Sequence, residues 1–107
     1  MIPRQLGLAL TIAWHSANAT DVGCPPALGH HTLNNNISIF DGYPEHETDM
    51  VPQDTGWDIS SPPTYPEGYY LVCRYKGTAQ VKTIPIPRDA RFCRFVVSSV
   101  VPNVSCR

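Results

Sequence analysis

The residues best suited to chemistry are histidines and carboxylates. His30 and His31 are adjacent, and His46 sits between Glu45 and Glu47. Neutral imidazole beside carboxylate is a donor set for Zn(II) or Cu(II). A periplasmic metal-binding protein using His30, His31 and His46 is therefore the alternative function this chain carries. It would need two separate polar loops to meet, and nothing in the spacing brings them together. The expectation is three independent surface histidines and no cofactor. Glu45 and Glu47 could form an acid pair, but clustered loop carboxylates are usually solvated. Ser38, Ser60, Ser61, Ser98, Ser99 and Ser105 lie outside any G-x-S-x-G elbow. The chain has no phosphate-binding loop and no dinucleotide-binding glycine run. No catalytic residues are assigned, and the protein is not expected to be an enzyme.

Recognition is the better supported chemistry. Tyr43, Tyr65, Tyr69, Tyr70, Tyr75, Trp57 and Phe92 are many aromatics for a short chain. Tyrosine and tryptophan pair a large apolar body with a polar handle and dominate binding hot spots. Period-two alternation puts Tyr70, Arg74 and Lys76 on one strand face, a basic-aromatic strip for a protein or glycan partner. Tyr69, Leu71, Cys73 and Tyr75 then face inward.

The elements that must hold these residues are short strands. Residues 69–76, 79–84 and 91–97 are rich in β-branched and aromatic side chains and are separated by turn residues. Gly77-Thr78 fits a two-residue hairpin with Gly first, so the three runs read as a meander. Pro85 and Pro87 cannot donate to a ladder, which ends the second run near Ile84. Residues 100–106 return as a last strand, confined to an edge by Pro102. Upstream, Cys24-Pro25-Pro26 is extended. Residues 36–40 alternate, with Ile37 and Ile39 on one face, and Asp41-Gly42 stops that strand. Pro44 suits the first position of a helical turn ending by Val51-Pro52, and Trp57 anchors a short strand over 55–59. Residues 60–68, with Pro62, Pro63, Pro66 and Gly68, form a loop.

The N-terminus reads as an address. Arg4 is the only charge before Asp21, an apolar run covers residues 6–14, and Ala17 and Ala19 give an A-x-A-like cleavage site. This is the plan of a secretory signal peptide, residues 1–19, cleaved after Ala19. The apolar run is too short for a transmembrane span. Removing nineteen of 107 residues leaves 88, one small domain over 20–107 with a thin core that benefits from covalent staples. All four cysteines lie in that part, and an even count in a short exported chain reads as two disulfides. In a meander, Cys73 and Cys93 would lie two strands apart, about 10 Å, beyond the ~7 Å a disulfide spans. A hairpin turning near residues 98–100 would set Cys106 opposite Cys93. The expected pairs are Cys93–Cys106 and Cys24–Cys73.

Charge is split along the chain. Residues 20–72 hold eight acids and no Lys or Arg, whereas 73–107 hold seven Lys or Arg and one acid, Asp89. A basic face for an anionic partner is one reading; an acidic half laid over the basic half is the expected one. Nucleic-acid binding is not expected, because the basic excess is local and the compartment is wrong.

Several stretches occur in a distinctive order: Cys24-Pro25-Pro26, Phe40-Asp41-Gly42-Tyr43-Pro44-Glu45, Met50-Val51-Pro52, Trp57, residues 70–78 (YLVCRYKGT), Ile86-Pro87 and Phe92-Cys93. This order resembles a family of small exported proteins of Gram-negative bacteria with FxDGxPxE and YLxCxYxxT motifs. The resemblance covers most of the mature chain and is most specific over 70–78. It implies a periplasmic or secreted protein and brings no activity with it. The chain is short between Cys24 and Phe40, where longer members carry more. The resulting expectation is an all-β domain, a mainly antiparallel small sheet or sandwich with minor helix. It acts as a monomeric, non-catalytic binding or inhibitor-like module whose partner is an unknown protein or glycan.

Overall fold

The computed structural model describes residues 19–96 and 101–107. The expected leader, apart from Ala19, and the expected turn over 98–100 lie outside the described residues. The protein is all-β and antiparallel. Strands β1 (Thr20–Gly23), β5 (Gly56–Asp58), β8 (Phe92–Phe95) and β9 (Asn103–Cys106) form a four-stranded sheet in the order β1-β9-β8-β5. Strands β4 (Ser38–Asp41), β6 (Tyr69–Arg74) and β7 (Val81–Pro85) form a three-stranded sheet in the order β4-β6-β7. A small ribbon pairs β2 (Ala27–Leu28) with β3 (His31–Thr32).

Both sheets feed one buried cluster. Val22, Trp57, Cys93, Val104 and Cys106 come from the larger sheet, and Ile39, Tyr69, Leu71 and Cys73 from the smaller. The inward alternation expected of Tyr69, Leu71 and Cys73 holds, as does the anchoring role of Trp57, which is 2% exposed. The disulfides are Cys24–Cys73 and Cys93–Cys106, as expected. The first ties the segment after β1 to β6 and so links the two sheets. The second joins directly opposed residues of β8 and β9.

The meander is corrected. Strand β8 pairs with β5 and β9, in the other sheet from β6 and β7, so Cys73 and Cys93 lie in different sheets rather than two strands apart in one. The expected hairpin at Gly77-Thr78 is a longer connection. Arg74 pairs with Val81, and Tyr75 turns away to bridge Leu33. A two-residue turn with Gly first occurs instead at Gly29-His30, where Leu28 pairs with His31 and Gly29 has φ of 61°. Strand β9 is internal, between β1 and β8. Pro102 precedes it and so removes no ladder donor. Pro85 closes β7, which lies at an edge where proline is tolerated.

The acidic and basic halves interleave, since β5 pairs with β8. They do not neutralise one another by contact. Among the described residues the one contact at ion-pair distance is that of His46 with Glu67.

Candidate partner-binding surface

Asp41, at the end of β4, is 5% exposed. Its two carboxylate oxygens accept the Thr64 N–H at 2.9 and 3.0 Å. The Gly42 N–H donates to the Gly68 carbonyl at 2.8 Å. These bonds hold the 60–68 loop against the end of β4. Gly42 has φ of 83°, and a Cβ there would lie 2.7 Å from Tyr65 Cδ2 and 2.9 Å from His46 Cδ2. Glycine both adopts this backbone cheaply and leaves room for two rings.

A 3-10 turn, Pro44–His46, follows. Proline presets its first position. Glu47, at φ of 61°, ends it and donates its N–H to the Pro44 carbonyl at 2.9 Å. The turn therefore stops earlier than Val51-Pro52. It aims His46 at the neighbouring loop. The His46 ring stacks on Tyr65, with centroids 3.6 Å apart and planes at 3°. His46 Nε2 lies 2.7 Å from Glu67 Oε2, and the same oxygen accepts the Tyr43 N–H at 3.1 Å. The Tyr43 ring packs on Tyr70 at 5.3 Å, yet Tyr43 remains 48% exposed.

The electrostatics fit this geometry. Loss of solvent would raise the Glu67 pKa, but the Tyr43 N–H, its own N–H and His46 together bring it below the ordinary glutamate value. Glu67 is thus held as a carboxylate. Tyr70 is pushed up, first by loss of solvent, then by Tyr43 and Glu67, against an opposing pull from Arg88. The result is a cluster of four rings around one fixed carboxylate, with Glu45 and Glu47 exposed beside it. It presents aromatic faces and negative charge, which suits docking rather than bond-breaking.

The other sequence candidates fall elsewhere. His30 and His31 sit on the β2–β3 ribbon with ring centroids 4.3 Å apart, and His31 Nδ1 lies 2.7 Å from the Lys76 carbonyl. His46 belongs to the aromatic cluster. Among the described residues no group of three or more His, Cys, Asp or Glu is placed to hold a metal ion. Tyr70 and Arg74 share the outer face of β6, but Val72 between them is 1% exposed. Arg74 is tied inward: Nη1 donates to Ser38 Oγ at 2.9 Å and to the Asn36 carbonyl at 3.3 Å, with the guanidinium over the Phe40 ring. Lys76 lies beyond the end of β6 and is exposed. Of the strip, only Tyr70 joins the ring cluster.

Sequence reasoning passed over Tyr43, Tyr65 and Glu67 as a unit. A signal was present, since the tripeptide Tyr-Pro-Glu occurs twice, at 43–45 and 65–67. The two copies face one another across the cluster.

The profile of a family described as "Type VI secretion system Tli immunity protein" matches residues 28–107. The chain belongs to this family. The matched stretch carries the whole ring cluster and three of the cysteines, Cys73, Cys93 and Cys106. No curated protein and no solved structure matches the chain. Family membership agrees with a binding or inhibitor-like module.

Proposed function

We propose that this chain is a non-catalytic immunity protein that neutralises a type VI secretion toxin by binding it. Family membership over 28–107 carries this reading. The face bearing Tyr43, His46, Tyr65 and Tyr70 supplies the docking surface. Rings held by stacking and, at His46, by a hydrogen bond lose little conformational freedom when a partner closes over them. Tyr43 is already half exposed and can be covered without rearrangement.

Two disulfides suit an oxidising compartment. In this reading residues 1–19 deliver 20–107 as one domain to the periplasm, where the chain meets the incoming toxin as a monomer. The partner is a protein rather than a glycan.

The test is direct. The oxidised 20–107 chain is titrated by calorimetry into type VI toxins of the same bacterium. In parallel, toxin-sensitive cells expressing the chain compete against a toxin-delivering strain. Saturable binding to one toxin, with survival, is the expected result. Failure to bind any of them, with no survival, overturns the proposal.

A further inference from the structure

A cavity of about 400 Å³ is lined by residues that flank strands of both sheets, with Gly68 at its edge. Its apolar lining comes from both sheets' flanks: Ile59 after β5, Tyr69 in β6, Ile86 after β7 and Ala90 before β8. All four are at least nine-tenths buried as residues. The volume falls within the range of small-molecule and side-chain pockets.

The walls are already fixed. The Tyr69 hydroxyl donates to the Ser61 carbonyl at 2.9 Å, and Asp58 Oδ1 accepts the Ser60 N–H at 2.9 Å. The Ile86 N–H donates to Tyr69 at 3.0 Å and the Ile59 N–H to Arg91 at 2.9 Å. Pro62, Pro63 and Pro87 complete the wall with preset dihedrals. A cavity with such walls needs little ordering on binding.

Its polar rim is cationic. Arg88 and Arg91 line the cavity, are exposed, and form no ion pair among the described residues. Arg88 gives one N–H to the Pro66 carbonyl at 2.7 Å. Two hydrogen bonds from Ser60 hold Asp58 below its ordinary value against the loss of solvent, and Arg91 is the weakest of the influences on it. Asp89 is the only acid among the lining residues. An apolar floor under two guanidiniums matches an apolar group that carries a carboxylate beside it.

We propose that this cavity receives an apolar side chain of the toxin, next to an Asp or Glu that Arg88 and Arg91 bind. The inference rests on the immunity reading and adds a second anchor point to it, of opposite charge to the ring cluster. An interface with acidic and basic anchors fixes one orientation of the partner.

The test uses the oxidised 20–107 chain and the toxin that it binds. Arg91→Glu reverses charge at an exposed position, and Ala90→Leu fills the cavity. Lys82→Glu, on β7 away from the cavity, is the control for general charge effects. The expected result is at least a tenfold weaker Kd for Arg91→Glu and for Ala90→Leu, and less than twofold for Lys82→Glu. Hydrogen exchange over 59–63 and 86–91 should slow when the toxin binds. Should Ala90→Leu misfold, Arg91→Glu and the exchange still decide. Wild-type binding with Arg91→Glu within twofold, and no slowed exchange, overturns the cavity inference and leaves the immunity reading standing. Equal weakening by Lys82→Glu and Arg91→Glu also overturns it, because the effect is then diffuse charge. Binding of a free medium-chain carboxylate in the cavity while the toxin binds elsewhere does the same. No toxin binding by the wild-type chain overturns both.

Discussion

His46 stacks flat on Tyr65 while its Nε2 reaches Glu67 two residues further on, 2.7 Å away. One side chain thus locks both ends of a Tyr-Pro-Glu tripeptide. Its own neighbour Tyr43 donates a backbone N–H to the same carboxylate. The cluster is therefore a preformed surface.

Tyr43→Ala should weaken toxin binding without unfolding the domain. Tyr43 is about half exposed, and its ring stacks on those of His46 and Tyr70. Hot-spot tyrosines cost at least ~2 kcal/mol on truncation, about thirtyfold in Kd. Calorimetry of the variant, with circular dichroism to show an unchanged fold, checks this.

Acid should loosen the cluster. The folded-state pKa of Glu67 is depressed, so its contribution is complete above the ordinary glutamate value of ~4.3. It fades as the pH falls through the lower, folded value. The Tyr43 amide proton should shift across that acid window by NMR, and in Glu67→Gln this titration should vanish. Persistence of the shift in Glu67→Gln would assign it to another group.

Gly42→Ala should open the ring stack. The backbone there is left-handed, and the added Cβ would press on Tyr65 and His46. A non-glycine residue in that conformation costs about 1–3 kcal/mol. Urea denaturation should show the loss, and the Tyr65 ring shifts should move toward solvent-exposed values.

The disulfides should contribute unequally. Cys24–Cys73 spans 49 residues and Cys93–Cys106 spans 13. Chain-entropy reasoning gives about 4 and about 3 kcal/mol respectively. Paired Cys→Ala variants, compared by urea denaturation with oxidised wild type, should follow that order. The long-range variant should also lose cooperativity, because Cys24–Cys73 is the covalent link between the sheets.

Arg74→Ala and Lys76→Ala should separate support from recognition. Arg74 donates to two acceptors and covers Phe40, so its loss should cost about 1–3 kcal/mol of stability. The exposed Lys76 side chain should matter by less than ~0.5 kcal/mol. Thermal denaturation of the two variants measures the difference.

The sequence by itself determined strands β4 to β9, the presence of two disulfides, the start of a turn at Pro44 and the burial of Trp57. Those follow from local rules: β-branched runs, proline's missing donor, alternation, and an even cysteine count in a small exported chain. Alternation says which side chains share a face, but not which strand lies alongside, because backbone ladders look alike whatever the sequence. That is why β8 was expected beside β7 and is found between β5 and β9. It is also why the sequence placed Arg74 on a strand face but not beside Ser38 and the Asn36 carbonyl, which accept from its Nη1. The ring cluster depends on loops about twenty residues apart meeting, through Asp41 on Thr64 and Gly42 on Gly68. Only the folded chain decided that His46 belongs with Tyr65 and Glu67 rather than with His30 and His31, because stacking and hydrogen bonding act over ångströms and not over sequence.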